Sequence, residues 1–176
     1  MSSTEAHAGP LTPAHLHELV ESGCRPLRGV AARLSTTDFE RRTRAGWTVK
    51  EMLAHVAFWE ETALPLVASF RGHPDVELEA WYHGDVEAYR RDVTGEWAPA
   101  AVHNGREAAW ARSREPAEVL SRWDAAHGRV LELVDSLSRQ ELEDGRIVIQ
   151  LLACSSDHCR EHMAELGSSF PDLAGG

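Results

Sequence analysis

Residues 46–61 read GWTVKEMLAHVAFWEE, and the spacing of their apolar side chains decides the fold. Met52, His55, Val56, Trp59 and Ala63 recur at intervals of three and four, which places them on one face of a helix with 3.6 residues per turn. Thr48 with Glu51 three positions later is the capping-box pattern, in which each side chain accepts from the other's backbone N–H. A helix is therefore predicted from about Thr48, and Gly72 and Pro74 predict its end.

Three further segments carry the same periodicity. The first opens at Thr12, with Pro13 suited to the first helical position, and turns Leu16, Leu19, Val20, Leu27, Val30, Ala31 and Leu34 inward. Gly23 and Pro26 predict a bend or interruption in it. The third starts at Asn104 or Pro116 and runs through Leu120, Trp123, His127, Val130, Leu131, Val134 and Leu137. The fourth begins near Arg146, after the connector SRQELEDG, and carries Ile147, Leu151, Cys154, His158, His162 and Leu166 before Gly167 and Pro171. No β-branched stretch alternates with period two, so the expected class is all-α. Residues 72–103 are too long for a tight helical hairpin and hold Trp81, Tyr82, Tyr89 and Trp97, with a short helix expected between about Val76 and Val93. A connection of that length can run along a four-helix bundle, which makes its second and third helices parallel. The chain reads as one domain over 1–176, its core spanning about 12–168, with the last five residues frayed.

Composition narrows the function. A formal net charge of −10 opposes binding to phosphate backbones or anionic lipid, which needs clustered Lys and Arg. No apolar run reaches the length of about 18 residues that a membrane span requires, and the first residues lack a basic start followed by an apolar segment. The expectation is a cytoplasmic protein with no nucleic-acid or membrane partner. Cys24, Cys154 and Cys159 are odd in number and show no paired spacing, so the thiols are expected to be reduced.

Among ten histidines, three positions stand out. His158 and His162 are four apart, separated on a helix by about 40° and roughly 6 Å of rise, so both can reach one ion. His55 lies on the buried face of the second helix. Each could be a core histidine satisfied by a neighbouring carboxylate or carbonyl; alternatively, one divalent metal would satisfy a nitrogen on every ring. His158, Glu161 and His162 also form His-x-x-Glu-His, the inverted zinc-peptidase motif. That class needs a third acidic ligand far downstream, whereas only 14 residues follow His162 and Glu165 is their one glutamate. Glu161 falls about 100° from His162 and is expected at the rim.

Residues 46–61 and the stretch DHCREHMAEL at 157–166 resemble the second- and fourth-helix signatures of the DinB-like superfamily. Asn104, after the long crossover and before an Arg- and Ala-rich helix, resembles the branch of mycothiol-dependent maleylpyruvate isomerases and of small proteins that protect producers from genotoxins. The similarity runs from about residue 12 to 168. It implies a four-helix bundle with a long crossover between helices two and three, and zinc or nickel held by His55, His158 and His162 as both metal and catalytic residues.

It also implies an enzyme that activates a small thiol such as mycothiol for transfer to, or isomerisation of, an electrophilic small molecule. The alternatives are a self-resistance hydrolase acting through metal-bound water on a reactive natural product, and a non-catalytic sequestration protein. A homodimer is compatible with each.

Nearby residues keep two readings. Cys154 is a fourth ligand, a substrate-side thiol or a small core residue; Cys159 lies about 100° from the site. Glu51 orients His55 or only caps its helix. Trp59 packs beside the metal and could contact a cofactor, as could Asn104 unless it is a helix cap. Trp81, Tyr82 and Trp97 roof a pocket or anchor the crossover. His7, His15, His17, His73, His83, His103 and His127 read as surface residues.

Overall fold

Thr12 accepts the backbone N–H of His15 and Pro13 takes the first helical position, so α1 starts where the sequence places it and runs over Pro13–Ala31. The computed structural model describes residues 10–72 and 100–174. The expected short helix between Val76 and Val93, and Trp81, Tyr82, Tyr89 and Trp97, lie outside the described residues, as do His7, His73 and His83. The remaining elements are α2 (Thr36–Phe39), α3 (Val49–Gly72), α4 (Ala100–Arg112), α5 (Pro116–Asp135), α6 (Arg139–Glu143), α7 (Gly145–Cys154), α8 (Ser156–Ser169) and α9 (Pro171–Ala174). Among the described residues the only β feature is a single antiparallel bridge between Arg42 and Thr48. The class is all-α.

Several expectations are corrected. α1 is continuous through Gly23 and Pro26. Gly23 has a packing role instead, because a Cβ there would collide with Ser156, so the glycine lets α1 and α8 touch. The third segment is two helices, and Asn104 lies inside α4 rather than capping a helix. The fourth breaks at Ser155 (φ −121, ψ −91), whose hydroxyl donates to the buried carboxylate of Glu60 at 2.5 Å. The tail folds as far as Ala174, held by a two-pronged pair from Arg41 to Asp172 at 2.8 and 3.1 Å.

α3 is the central element and packs against α5, α4 and α7, while α1 lies on α8 and α5. The interior divides into two apolar clusters. One gathers Leu27, Leu53, Val56, Trp123 and Leu166; the other gathers Val20, Leu66, Phe70, Val130 and Leu151. Following the numbering through both clusters shows that α3 and α5 run in the same sense, whereas α1 and the α7–α8 pair run against them. Between the clusters lies a buried polar layer of Glu60, His127 and Ser155.

Candidate metal centre

The site begins with the capping box. Thr48 N–H donates to Glu51 Oε2 at 2.7 Å and Glu51 N–H to Thr48 Oγ1 at 3.1 Å, which sets the phase of α3 and turns His55 inward. Glu51 also pairs with Arg112, and capping is the role its contacts support. Just before the helix, Gly46 adopts φ +92, a left-handed conformation that favours glycine. The turn it completes, closed by Thr43 N–H to Trp47 O at 2.7 Å, brings the Trp47 ring within 5.1 Å of the His55 ring. On α8 the four-residue spacing sets His158 and His162 side by side, ring centroids 4.6 Å apart.

The three histidines named from sequence meet. His55 lies 4.8 Å from His158 and 5.1 Å from His162 between ring centroids, and one ligand nitrogen from each falls within 4.8 Å of the others. His55 is 7% exposed and the other two are half-buried. Burial, reinforced by the neighbouring His162, pushes His55 down to about 4; the same burial, with His162 and His55 alongside, pushes His158 down to about 3. At neutral pH these two rings are uncharged and present the lone pairs that a metal requires.

The polar atoms around the rings test the fit. His162 Nδ1 donates to Glu165 Oε2 at 2.9 Å, which leaves Nε2 with the lone pair; that Nε2 is buried with no hydrogen-bond partner. A carboxylate accepting from one nitrogen of an imidazole is the usual support of a histidine that ligates a metal through the other. Trp59 Nε1–H donates to His55 Nδ1 at 3.2 Å, so the His55 proton sits on Nε2, which donates to His158 Nε2 at 2.9 Å. An ion taking His55 Nε2 would require the proton on Nδ1. Trp59 would then have to turn away from Nδ1, and Asn104 Oδ1, beside His55 and buried without a partner, is the acceptor available to replace it. The donor set and both orphaned atoms fit a divalent cation.

Glu161 is exposed, as expected of a rim residue, and Cys154 is a buried core residue 4% exposed. An open cleft of about 400 Å³ adjoins His55 through Trp47 and Asn104, and Arg42 and Arg112 add two cations to its wall. Three features escape the sequence reading. Glu165, read only as a candidate peptidase ligand, is the partner of His162; its position one turn after that histidine was the available signal. His127 and His103 are not at the surface but 2% and 7% exposed, the first held by Glu60 and Glu21 and the second stacked on Phe58. Cys24 and Cys159 are not reduced thiols but a disulfide with Cα atoms 5.0 Å apart, across a separation of 135 residues that offers no local signal.

No helix among the described residues is long and apolar enough to cross a membrane. The family model of the DinB superfamily matches residues 20–166. No curated protein and no solved structure gives a match.

Proposed function

Because the chain belongs to the DinB superfamily, we propose that its three-histidine centre holds one divalent metal, zinc or nickel, and activates a small thiol such as mycothiol for transfer to, or isomerisation of, an electrophilic small molecule. The observation that carries this reading is the buried, unpartnered Nε2 of His162, aimed into a group of three imidazoles with a carboxylate behind it. Three protein ligands leave coordination positions free, the arrangement of catalytic rather than structural sites. A divalent ion there lowers the pKa of a bound thiol or water and so supplies a nucleophile near neutral pH.

The remaining work belongs to the chain. His55, His158 and His162 would each offer one ring nitrogen; Glu165 would hold His162 with Nε2 free to ligate, and Asn104 would accept the Nδ1 proton of His55 once Trp59 turned away. Trp47 lies between His55 and the cleft, and Trp59 packs edge-on against the His55 ring. Glu51 also lines the cleft and pairs with Arg112, so Arg42, bonded among the described residues only to Gly46 O, supplies the uncompensated cation toward an anionic or strongly polarised substrate.

The experiment is incubation of the zinc- or nickel-loaded protein with a panel of electrophiles, with and without a small thiol, followed by mass analysis of the products. Joint consumption of thiol and electrophile, lost in His158→Ala, is the expected result. Turnover that proceeds equally fast without thiol and incorporates water would replace this reading with the hydrolase. Tight, metal-independent binding without turnover would replace it with sequestration.

A further inference from the structure

Apart from the three histidines, one other group of described side chains brings metal-binding atoms together: Cys24 on α1, Glu60 on α3 and Cys159 on α8, whose donor atoms all lie within 4.8 Å of one another. All three residues are 0% exposed. Glu60 Oε1 is crowded, accepting from Ser155 Oγ and facing His127 Nδ1 at 2.8 Å, with the Cys24 sulfur 3.6 Å away. Its other oxygen, Oε2, is buried with no partner at all. A disulfide is neutral and offers that oxygen no donor, so oxidation of the two cysteines leaves half of a buried carboxylate unsatisfied.

A cation shared with the two sulfurs satisfies it. We propose that in the reduced chain Cys24, Cys159 and Glu60 form a second, thiolate-rich metal site, and that the disulfide is the oxidised form of the same site, unable to bind the ion. Two thiolates select a soft or borderline ion such as zinc, for which sulfur ligands lie at about 2.3 Å, and Glu60 can supply one oxygen or both. The negative charge of two thiolates and a carboxylate is met by the divalent ion together with His127, which bridges Glu60 to Glu21 at 2.8 Å on each side. Two molecules of a small thiol convert one form to the other: they become one disulfide, and the two electrons and two protons they lose turn the Cys24–Cys159 bond into two thiols. Metal binding then releases both protons. With both sulfurs buried, a reductant must wait for α1 and α8 to part, so the ion enters most readily before the disulfide closes. The thiolate–cobalt band tests this inference independently of the three-histidine reading; only the total ion count depends on both.

The test uses the full chain, reduced anaerobically by a phosphine and titrated with Co²⁺. Reduced wild type is expected to bind two ions, with a thiolate-to-cobalt charge-transfer band. The oxidised protein should bind one ion and show no band. The triple variant His55→Ala, His158→Ala, His162→Ala should keep the band while losing one ion, and Cys154→Ala should leave it unchanged. Cys24→Ala with Cys159→Ala should abolish it. Should that double variant fail to fold, Glu60→Gln, which keeps the shape of the side chain, is expected to weaken cobalt binding at the thiolate site about tenfold or more. A reduced, helical wild type with no thiolate–cobalt band overturns the proposal, as does a band that depends on Cys154 alone or is indifferent to Glu60→Gln.

Discussion

His158 and His127 both point into the helical interior, yet their surroundings drive them in opposite directions. His158 faces two other imidazoles, and burial together with their potential charge depresses its pKa to about 3. Burial also opposes charge on His127, but the hydrogen bond to Glu60 and the charge of Glu60, with the hydrogen bond to Glu21, overcome it and raise the pKa. One environment keeps His55 and His158 neutral and leaves one nitrogen, His162 Nε2, buried without a partner; the other pairs both nitrogens of a ring with carboxylates. The first is prepared for a ligand from outside, whereas the second helps tie α1, α3 and α5 together. A histidine count distinguishes none of this, because neighbours set the protonation state.

The largest effect expected from breaking this contrast is at the neutral cluster. His158→Ala should remove the three-histidine metal altogether while leaving far-UV circular dichroism unchanged, since the described helices bury an apolar interior of their own; metal analysis of the purified variant checks it. A variant that retains full occupancy there would show that another residue ligates.

In the charged cluster the loss should appear as stability instead. His127→Ala leaves Glu60 and Glu21 unpaired in and beside the core, and breaking a buried pair in this way costs about 3–5 kcal/mol. Urea unfolding measures this, and a loss under about 1 kcal/mol would mean that other donors satisfy Glu60.

Positioning groups come next in size. Glu165→Gln should weaken metal binding by about 10- to 100-fold without moving the unfolding midpoint of the metal-free chain, and Asn104→Ala should act in the same direction through His55. Isothermal titration with zinc separates the two. Unchanged affinity in both would mean that the tautomers are set elsewhere.

The smallest effect at neutral pH, and the sharpest test of the contrast, is the pH dependence of stability in the metal-free protein. An unfolded histidine ionises near 6.5. His55 and His158 have depressed folded values, about 4 and about 3, so below about pH 6.5 the unfolded chain takes up protons that the folded chain refuses. Their contribution is intact above that pH and is lost as pH falls toward those values. His127 is raised, so its contribution is complete below about pH 6.5 and is lost as pH rises through its folded pKa. Urea midpoints between pH 5 and 8 should therefore change slope in opposite senses in His158→Ala and His127→Ala. Parallel slopes would remove the contrast.

Local rules made much of this molecule legible in the sequence. Thr12 with Pro13, Thr48 with Glu51, and Pro116 each start a helix where a side chain or a fixed φ favours one, and the spacing of His158 and His162 makes them neighbours on any helix. The break at Ser155 was not legible, because it follows from a contact between helices, the bond of Ser155 to Glu60; the location of Asn104 inside α4 was not legible either, because an asparagine serves a helix end and a helix interior facing His55 equally well in sequence.

The sequence by itself determined the helical class, the faces that turn inward and the three histidines able to share an ion, because helix periodicity and capping act over three or four residues. Only the tertiary structure decided which buried groups meet across the interior: Cys24 with Cys159, Glu60 with His127, and His55 with the α8 pair. Those meetings depend on how α1, α3, α5 and α8 pass one another, and so do the charge states that follow. The helix spacing that brings His158 and His162 together cannot say whether a carboxylate or another imidazole waits on the facing helix.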